Sequence, residues 1–255
     1  MRDRLEVSGK AMLVTGASSG LGRHFARLLA EAGATVIAAA RRRDELEQLV
    51  GEIGAAGGKA HAVVMDVTDL ASVRAGIGEA VLLAARLDGL VNNSGVTDTV
   101  PLFDQDEASW DRILNTNLKG AWAVATQAAR HMSEGGQGGA IVNIASILGL
   151  RQGGQLTAYA TSKAALIQLT KQMALEWARH GIRVNALAPG YIETDFNREF
   201  FASEAGRSMI KRIPQRRLGQ PSDLDGALLL LLSDASAYIT GAVLAIDGGH
   251  LVSSL

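Results

Sequence analysis

The chain contains no cysteine. Disulfides and thiolate metal sites are therefore excluded, and no metal centre is expected. Charge of one sign is also missing: the formal net charge is −1. That balance gives no electrostatic attraction to nucleic acid or to an anionic membrane, so neither is expected as a partner. Long apolar runs are absent, and the longest leucine run, Leu228 to Leu232, is far too short to span a bilayer. The opening residues, MRDRLEVSGK, lack the apolar core of a signal peptide. The expectation is a cytoplasmic protein that acts on a small molecule. Aromatic residues make up only 4% of the chain, whereas glycine reaches 29 residues. Many glycines suit many tight strand–helix turns. With 255 residues and 47% hydrophobic content, the chain can bury a sizeable core.

Seven short apolar runs punctuate the sequence: AMLVTG, ATVIAAA, AHAVVMD, DGLVNN, AIVNIAS, IRVNALA and AVLAIDG. Such runs read as strands buried on both faces, hence as a parallel sheet. Helical stretches are expected between them, over residues 21–32, 43–56, 70–86, 107–132, 158–180 and 222–233. The alternation predicts an α/β, doubly wound (Rossmann) seven-stranded parallel sheet with helices on both faces. No repeat, linker or composition break divides the chain, so residues 1–255 form a single domain in this reading. Residues 191–214, YIETDFNREFFASEAGRSMIKRIP, break the rhythm. Long connections in compact domains are commonly lids, and this one follows the end of a parallel strand, where ligands bind. A substrate lid carrying Phe196, Phe200 and Phe201 is expected; an ordinary surface helix pair is the alternative.

Two constellations carry chemistry. LVTGASSGLG spans the end of the first strand and the start of the first helix. Gly16, Gly20 and Gly22 let the backbone turn tightly against a pyrophosphate at a helix N-terminus, and Ser18 and Ser19 add hydroxyl donors. The second constellation is Ser146, which closes the fifth strand, with Tyr159 and Lys163 opening the next helix. Residues four apart share a helix face. A free tyrosine has a pKa of about 10 and is a poor base near neutrality. An ammonium one turn away favours the phenolate, so Tyr159 is expected to exchange a proton with an alcohol or carbonyl oxygen that Ser146 holds. Asn92, at the tip of the fourth strand, reads as a structural corner.

Taken together, these motifs resemble the short-chain dehydrogenase/reductase family over essentially the whole chain. The likeness rests on TGASSGLG, MDVTD, NNSG, NTNLKG, YATSK, RVNALAPG and TGAVLAIDGG in this order, with Tyr159 thirteen residues after Ser146. The resemblance implies a catalytic tetrad of Asn117, Ser146, Tyr159 and Lys163, with Asn117 holding a water in a relay to Lys163. It implies a nicotinamide cofactor contacted by Gly16, Ser18, Ser19, Gly20, Leu21, Gly22, Arg41, Arg42, Asp66, Val67, Asn93, Gly95, Tyr159, Lys163, Pro189, Gly190, Ile192 and Thr194. Ser94 and Ala145 depart from the usual alanine and serine, and neither removes a reacting group. The resemblance further implies a homotetramer of D2 symmetry. Helices 107–132 and 158–180 would pair across one two-fold axis, and the C-terminal strand and leucine helix across another.

The cofactor reading leans to NADP over NAD. Ala40 stands at the tip of the second strand, where NAD-preferring relatives carry an acid, and Arg41, Arg42 and Arg43 follow. A guanidinium grips a phosphate with two parallel bonds, which makes Arg41 the first candidate for a 2′-phosphate and Arg42 the second. Candidate substrate walls are Val96, Leu148, Leu150, Gln155, Tyr191 and Phe196; Arg151 meets an acidic group or solvent. The expected reaction interconverts a secondary alcohol and a ketone. A 3-oxoacyl thioester reductase and a sugar dehydrogenase are the alternatives. The loop SEGGQGG before the fifth strand has no basic residue for an acidic carrier protein. A non-catalytic cofactor-binding regulator need not keep all four tetrad residues, and an epimerase or dehydratase of the longer sister group carries a larger C-terminal region.

Overall fold

A computed structural model describes residues 5–194 and 197–253. Among these residues, seven strands form one parallel sheet in the order β3-β2-β1-β4-β5-β6-β7. The strands are β1 (Ala11–Thr15), β2 (Thr35–Ala40), β3 (Lys59–Val64), β4 (Gly89–Asn92), β5 (Gly139–Ile144), β6 (Ile182–Pro189) and β7 (Val243–Ile246). Between them run α1 (Gly20–Glu31), α2 (Arg43–Ala55), α3 (Leu70–Ala84), α4 (Glu107–Leu114), α5 (Ala121–Glu134), α6 (Thr157–Trp177), α7 (Arg198–Ala202), α8 (Glu204–Ile210) and α9 (Asp225–Leu232).

The alternation of side chains along each strand builds two cores. Met12, Val14, Val36 and Ala38 face α1, α2 and α9, which contribute Phe25, Leu29, Leu46, Leu49, Leu228 and Leu231. Leu13, Ile37, Ala39 and Leu90 face the other way, against Val73 and Ile77 of α3, the alanines of α5 and Met173 of α6. Each fully buried aliphatic side chain contributes about 1.5–3 kcal/mol, so both faces of the sheet are strongly held. The strand order reverses between β1 and β4, and in such sheets ligands bind at that switch, beyond the carboxyl ends of the strands.

The stretch expected as one helix over 107–132 is interrupted. Asn115–Gly120 forms a π-helical turn between α4 and α5. One extra residue per turn swells the helix, and such bulges recur at functional sites. Here the turn carries Asn117 into the interior, where it is fully buried. The 191–214 segment holds two short helices, α7 and α8. Phe201 is buried, Phe200 is half exposed, and Phe196 lies outside the described residues.

Candidate active site

β1 ends in a turn that only glycine fits. Gly16 and Gly20 adopt φ of 67° and 54°, the left-handed region that favours glycine. A Cβ on Gly22 would stand 2.3 Å from the Gly16 carbonyl oxygen and 2.6 Å from Asn93 Nδ2, so the missing side chain lets α1 close down on the turn. A Cβ on Gly20 would meet nothing within 4 Å; this side of the turn faces a cleft. Ser19 makes no side-chain cap to α1, and no acid occupies the first helical turn. Free N–H groups and the positive helix end therefore suit an anionic phosphate.

That cleft holds about 530 Å³ and runs from Gly16, Ser18, Ser19, Gly20 and Leu21 past Ala40, Arg41 and Arg42 to Asp66, Val67 and Thr68. The three arginines behave differently. Arg42 Nη2 donates to Ser18 Oγ at 3.0 Å, and the same guanidinium pairs with Glu45 at 3.1 Å. Arg43 pairs with Glu47 at 3.4 Å. Arg41 has no hydrogen bond or ion pair to any described residue. Burial raises the Asp66 carboxyl, but two bonds from Thr68 and the Arg41 charge outweigh it and hold Asp66 below its usual range.

A second cleft of about 490 Å³ continues from the first; Leu21, Asn93, Gly95, Val96 and Arg112 line both. Its floor brings together Ser146, Tyr159 and Lys163, with Pro189, Gly190, Tyr191, Ile192 and Thr194 on the far side. Ser146 follows β5, and its Oγ accepts from the Leu148 amide at 3.1 Å. Lys163 Nζ donates to the Ile144 carbonyl at 2.7 Å and lies 5.6 Å from the Tyr159 ring centroid. Asn117 does not line either cleft. Its Nδ2 donates to the Val96 carbonyl at 2.9 Å and to Ser162 Oγ at 3.0 Å, and its Oδ1 accepts from the Val96 amide at 2.8 Å. Ser162 Oγ donates in turn to the Tyr159 carbonyl at 2.7 Å. The side-chain amide of Asn117 therefore clamps the cleft wall to the first turns of α6.

The electrostatics differ from the sequence expectation. Burial pushes the Tyr159 phenol above its ordinary 10; the Ser146 hydroxyl pulls it back only in part, and nearby Tyr191 adds to the rise. Burial also drives Lys163 down to about 8. Desolvation penalises both charged forms. The phenol is accordingly held protonated at neutral pH, and the lysine carries less charge with which to ionise it.

Several substrate candidates fall elsewhere. Val96 and Tyr191 line the second cleft. Leu148 turns back into the protein on a short 3₁₀ turn, Ile147–Gly149, and is buried against Gly153. Leu150 is exposed. Gln155 points outward from a left-handed backbone (φ 61°), and its carbonyl ties down the Val100 amide at 2.9 Å. Arg151 is part-exposed and donates to the His250 carbonyl. Tyr191 packs edge-on against Phe201 of α7 at 5.6 Å and beside His250 at 5.4 Å. Asn92 donates to the Ala121 carbonyl and to Asn143 Oδ1 at 2.8 and 3.0 Å, a buried corner. Sequence reasoning missed Thr97, Arg112 and Asn197, which also line the cleft.

Residues 16–250 match a family model described as enoyl-(acyl carrier protein) reductase. A short-chain type dehydrogenase/reductase from Mycobacterium marinum has the same fold, with a TM-score of 0.93, 40% identity and 98% of both chains covered. The chain belongs to the short-chain dehydrogenase/reductase family. A 3-oxoacyl-[acyl-carrier-protein] reductase from Thermotoga maritima is 39% identical over 248 residues, covering 97% of this chain and 100% of that one. A gluconate 5-dehydrogenase from Burkholderia cenocepacia, solved with NADP and tartrate, matches with a TM-score of 0.95 and 38% identity over 99% of both chains. As a member of this family, the chain is an NAD(P)-dependent oxidoreductase of the alcohol–carbonyl class. Among the described residues no helix is long and apolar enough to cross a membrane, and no group of three metal-ligating side chains occurs.

Proposed function

We propose that the protein interconverts a secondary alcohol and a ketone of a small polar substrate, with Tyr159 as the proton donor and acceptor. The observation that carries this is the meeting of Ser146, Tyr159 and Lys163 on the floor of one cleft that runs on into a glycine-lined groove. A bound nicotinamide supplies hydride transfer to or from the substrate carbon; the glycine turn, Asp66, Val67, Asn93, Gly95, Pro189, Gly190, Ile192 and Thr194 would hold that cofactor. Ser146 orients the substrate oxygen, and Tyr159 O–H gives its proton to that oxygen in reduction. The raised phenol is the protonated form that reduction needs at neutral pH. Oxidation needs the phenolate, so its rate should climb with pH while the reductive rate does not. Lys163 places a partly charged ammonium beneath the ring, and Asn117 and Ser162 fix the turn that presents it.

The cofactor in this reading is NADP rather than NAD. Its support is Arg41, unpaired and exposed at the β2 tip, where Ala40 leaves no carboxylate to repel a 2′-phosphate. The substrate is a sugar or a hydroxy acid rather than a long acyl chain: beside Val96 and Ile192 the cleft carries hydroxyls at Ser146, Tyr159, Tyr191, Thr97 and Thr194, and a relative of this chain was solved with NADP and tartrate. The segment 191–214 acts as the lid, supported by the Phe201–Tyr191 contact at the cleft wall. A homotetramer fits the apolar side chains left in the open: Trp122 on α5, Leu175 on α6, and Tyr238 and Val252 near the C-terminus.

The test is a spectrophotometric screen with NADPH and NADH over simple ketones, β-ketoacyl thioesters, ketoses and keto acids, run with wild type and Tyr159→Phe. The variant should bind cofactor normally and lose nearly all turnover, because only the transferable proton is gone. More than a few per cent of the wild-type kcat/KM surviving in Tyr159→Phe would show that another group moves the proton.

A further inference from the structure

The charge of the second cleft is one-sided. Among the described residues that line it, the charged side chains are Arg112 and Lys163, and no carboxylate is present. Lys163 is buried and committed to the Ile144 carbonyl. Arg112 is not: its guanidinium is half exposed, and its side chain makes one contact, Nη2 to Asp98 Oδ2 at 3.3 Å. A guanidinium carries five N–H donors in a planar fork, so most of the donors of Arg112 remain available at the cleft wall. Ser109 Oγ donates to the same Asp98 oxygen, which anchors the carboxylate that Arg112 meets. Arg112 also lines the first cleft, so it stands where cofactor and substrate spaces meet.

The geometry points to Arg112 as the receptor for a carboxylate on the substrate, which makes the substrate class a hydroxy acid and its oxo-acid partner. This rests on the hydride-transfer reading above and narrows it. A planar fork pairs two N–H groups with two carboxylate oxygens, and a neutral polyol offers no such match. A cofactor phosphate has the same anionic oxygens, and the binding experiment separates the two sources. A second alternative is that Arg112 only clasps the 96–105 loop through Asp98.

Calorimetry on the full chain preloaded with NADP+ reads the question directly. Gluconate and tartrate are the acid probes and sorbitol the neutral one, for wild type, Arg112→Lys, Arg112→Leu and Asp98→Asn. NADP+ is titrated separately into each apo protein. At least one acid should bind wild type ten-fold or more tightly than sorbitol. Arg112→Leu should abolish that preference, Arg112→Lys should keep part of it, and Asp98→Asn should keep or strengthen it. NADP+ affinity should change less than two-fold throughout. Wild type that does not prefer either acid overturns the proposal. A loss of NADP+ affinity in Arg112→Leu that matches the loss of acid affinity assigns the arginine to the cofactor instead. An Asp98→Asn protein that behaves like Arg112→Leu reduces Arg112 to a loop clasp. Failure of the hydride-transfer reading would appear separately, as turnover retained by Tyr159→Phe.

Discussion

Lys163 is the group whose burial has the largest readable consequence. It is almost fully buried and its ammonium is depressed from 10.5 to about 8. Between those two values the unfolded chain binds a proton that the folded chain has lost, so stability rises with pH across that window. The sign follows from the depressed pKa: the cost of burying the charge is present below pH 8 and fades as pH climbs toward 10.5. Integrating the proton difference from pH 7 to pH 10 gives about 2–3 kcal/mol. The perturbation is Lys163→Met, which keeps the length of the side chain and removes the titrating group. It also leaves the Ile144 carbonyl without its donor, at a cost of about 1–3 kcal/mol that does not vary with pH.

The assay is urea unfolding of wild type and Lys163→Met at fixed protein concentration, at pH 7 and at pH 10, without cofactor. The difference between the two proteins cancels every other titration they share. Wild type should gain about 2–3 kcal/mol on the variant over that interval. A gap that stays within about 0.5 kcal/mol at both pH values would refute the reasoning, because Lys163 would then titrate as freely when folded as when unfolded. Any activity left in the variant should have its oxidative optimum shifted upward, since Tyr159 then ionises without a neighbouring ammonium.

Two further variants separate the cofactor grip from the internal bracing. Arg41→Ala should lower kcat/KM about 10- to 150-fold with NADPH and leave NADH nearly untouched, the loss of one charge-assisted bidentate contact; equal losses, or a wild type that prefers NADH, would contradict the 2′-phosphate assignment. Ser162→Ala leaves one N–H of the buried Asn117 amide without its acceptor, and should cost about 1–3 kcal/mol in urea unfolding with a fall in kcat larger than any change in cofactor affinity; a cost below about 0.5 kcal/mol would show that the bracing carries no weight.

The sheet was legible because its signal is local. Each of the seven apolar runs overlaps the strand that forms, and AMLVTG contains the whole of Ala11–Thr15, since a strand covered on both faces must be largely apolar. The doubly wound layout follows from the alternation alone. The π turn at Asn115–Gly120 left no such trace, because apolar spacing over 107–132 tolerates one added residue without losing its face. Nearness in sequence misled at Leu148, Leu150 and Gln155. They follow Ser146 closely, but the chain turns away in a 3₁₀ turn and carries them off the cleft. Arg112 was invisible for the converse reason: its place at the cleft depends on how α4 lies over the sheet, and nothing in its own neighbours states that. The spacing of Tyr159 and Lys163 puts an ammonium near the phenol but does not state how far each group is buried. Desolvation acts on both groups and wins.

That burial connects the bracing to the chemistry. The floor of the cleft is assembled from β5, α6 and the π turn. Buried polar bonds tie these together: Asn92 to Asn143 at 3.0 Å, Asn143 to Thr170 at 2.9 Å, Asn117 to Ser162 at 3.0 Å and Ser162 to the Tyr159 carbonyl at 2.7 Å. Inside a protein each of these is costly to break, because the freed partner has no water to turn to. The frame that presents Tyr159 is therefore stiff. On the opposite wall, Tyr191 is held by ring contacts to Phe201 and His250, and the helices α7 and α8 are only five and seven residues long. Short helices are marginal on their own, so this wall can shift at lower cost than the floor. A division of that kind would let one proton-transfer geometry serve while Arg112, Tyr191 and the proposed lid set which molecule is admitted to it.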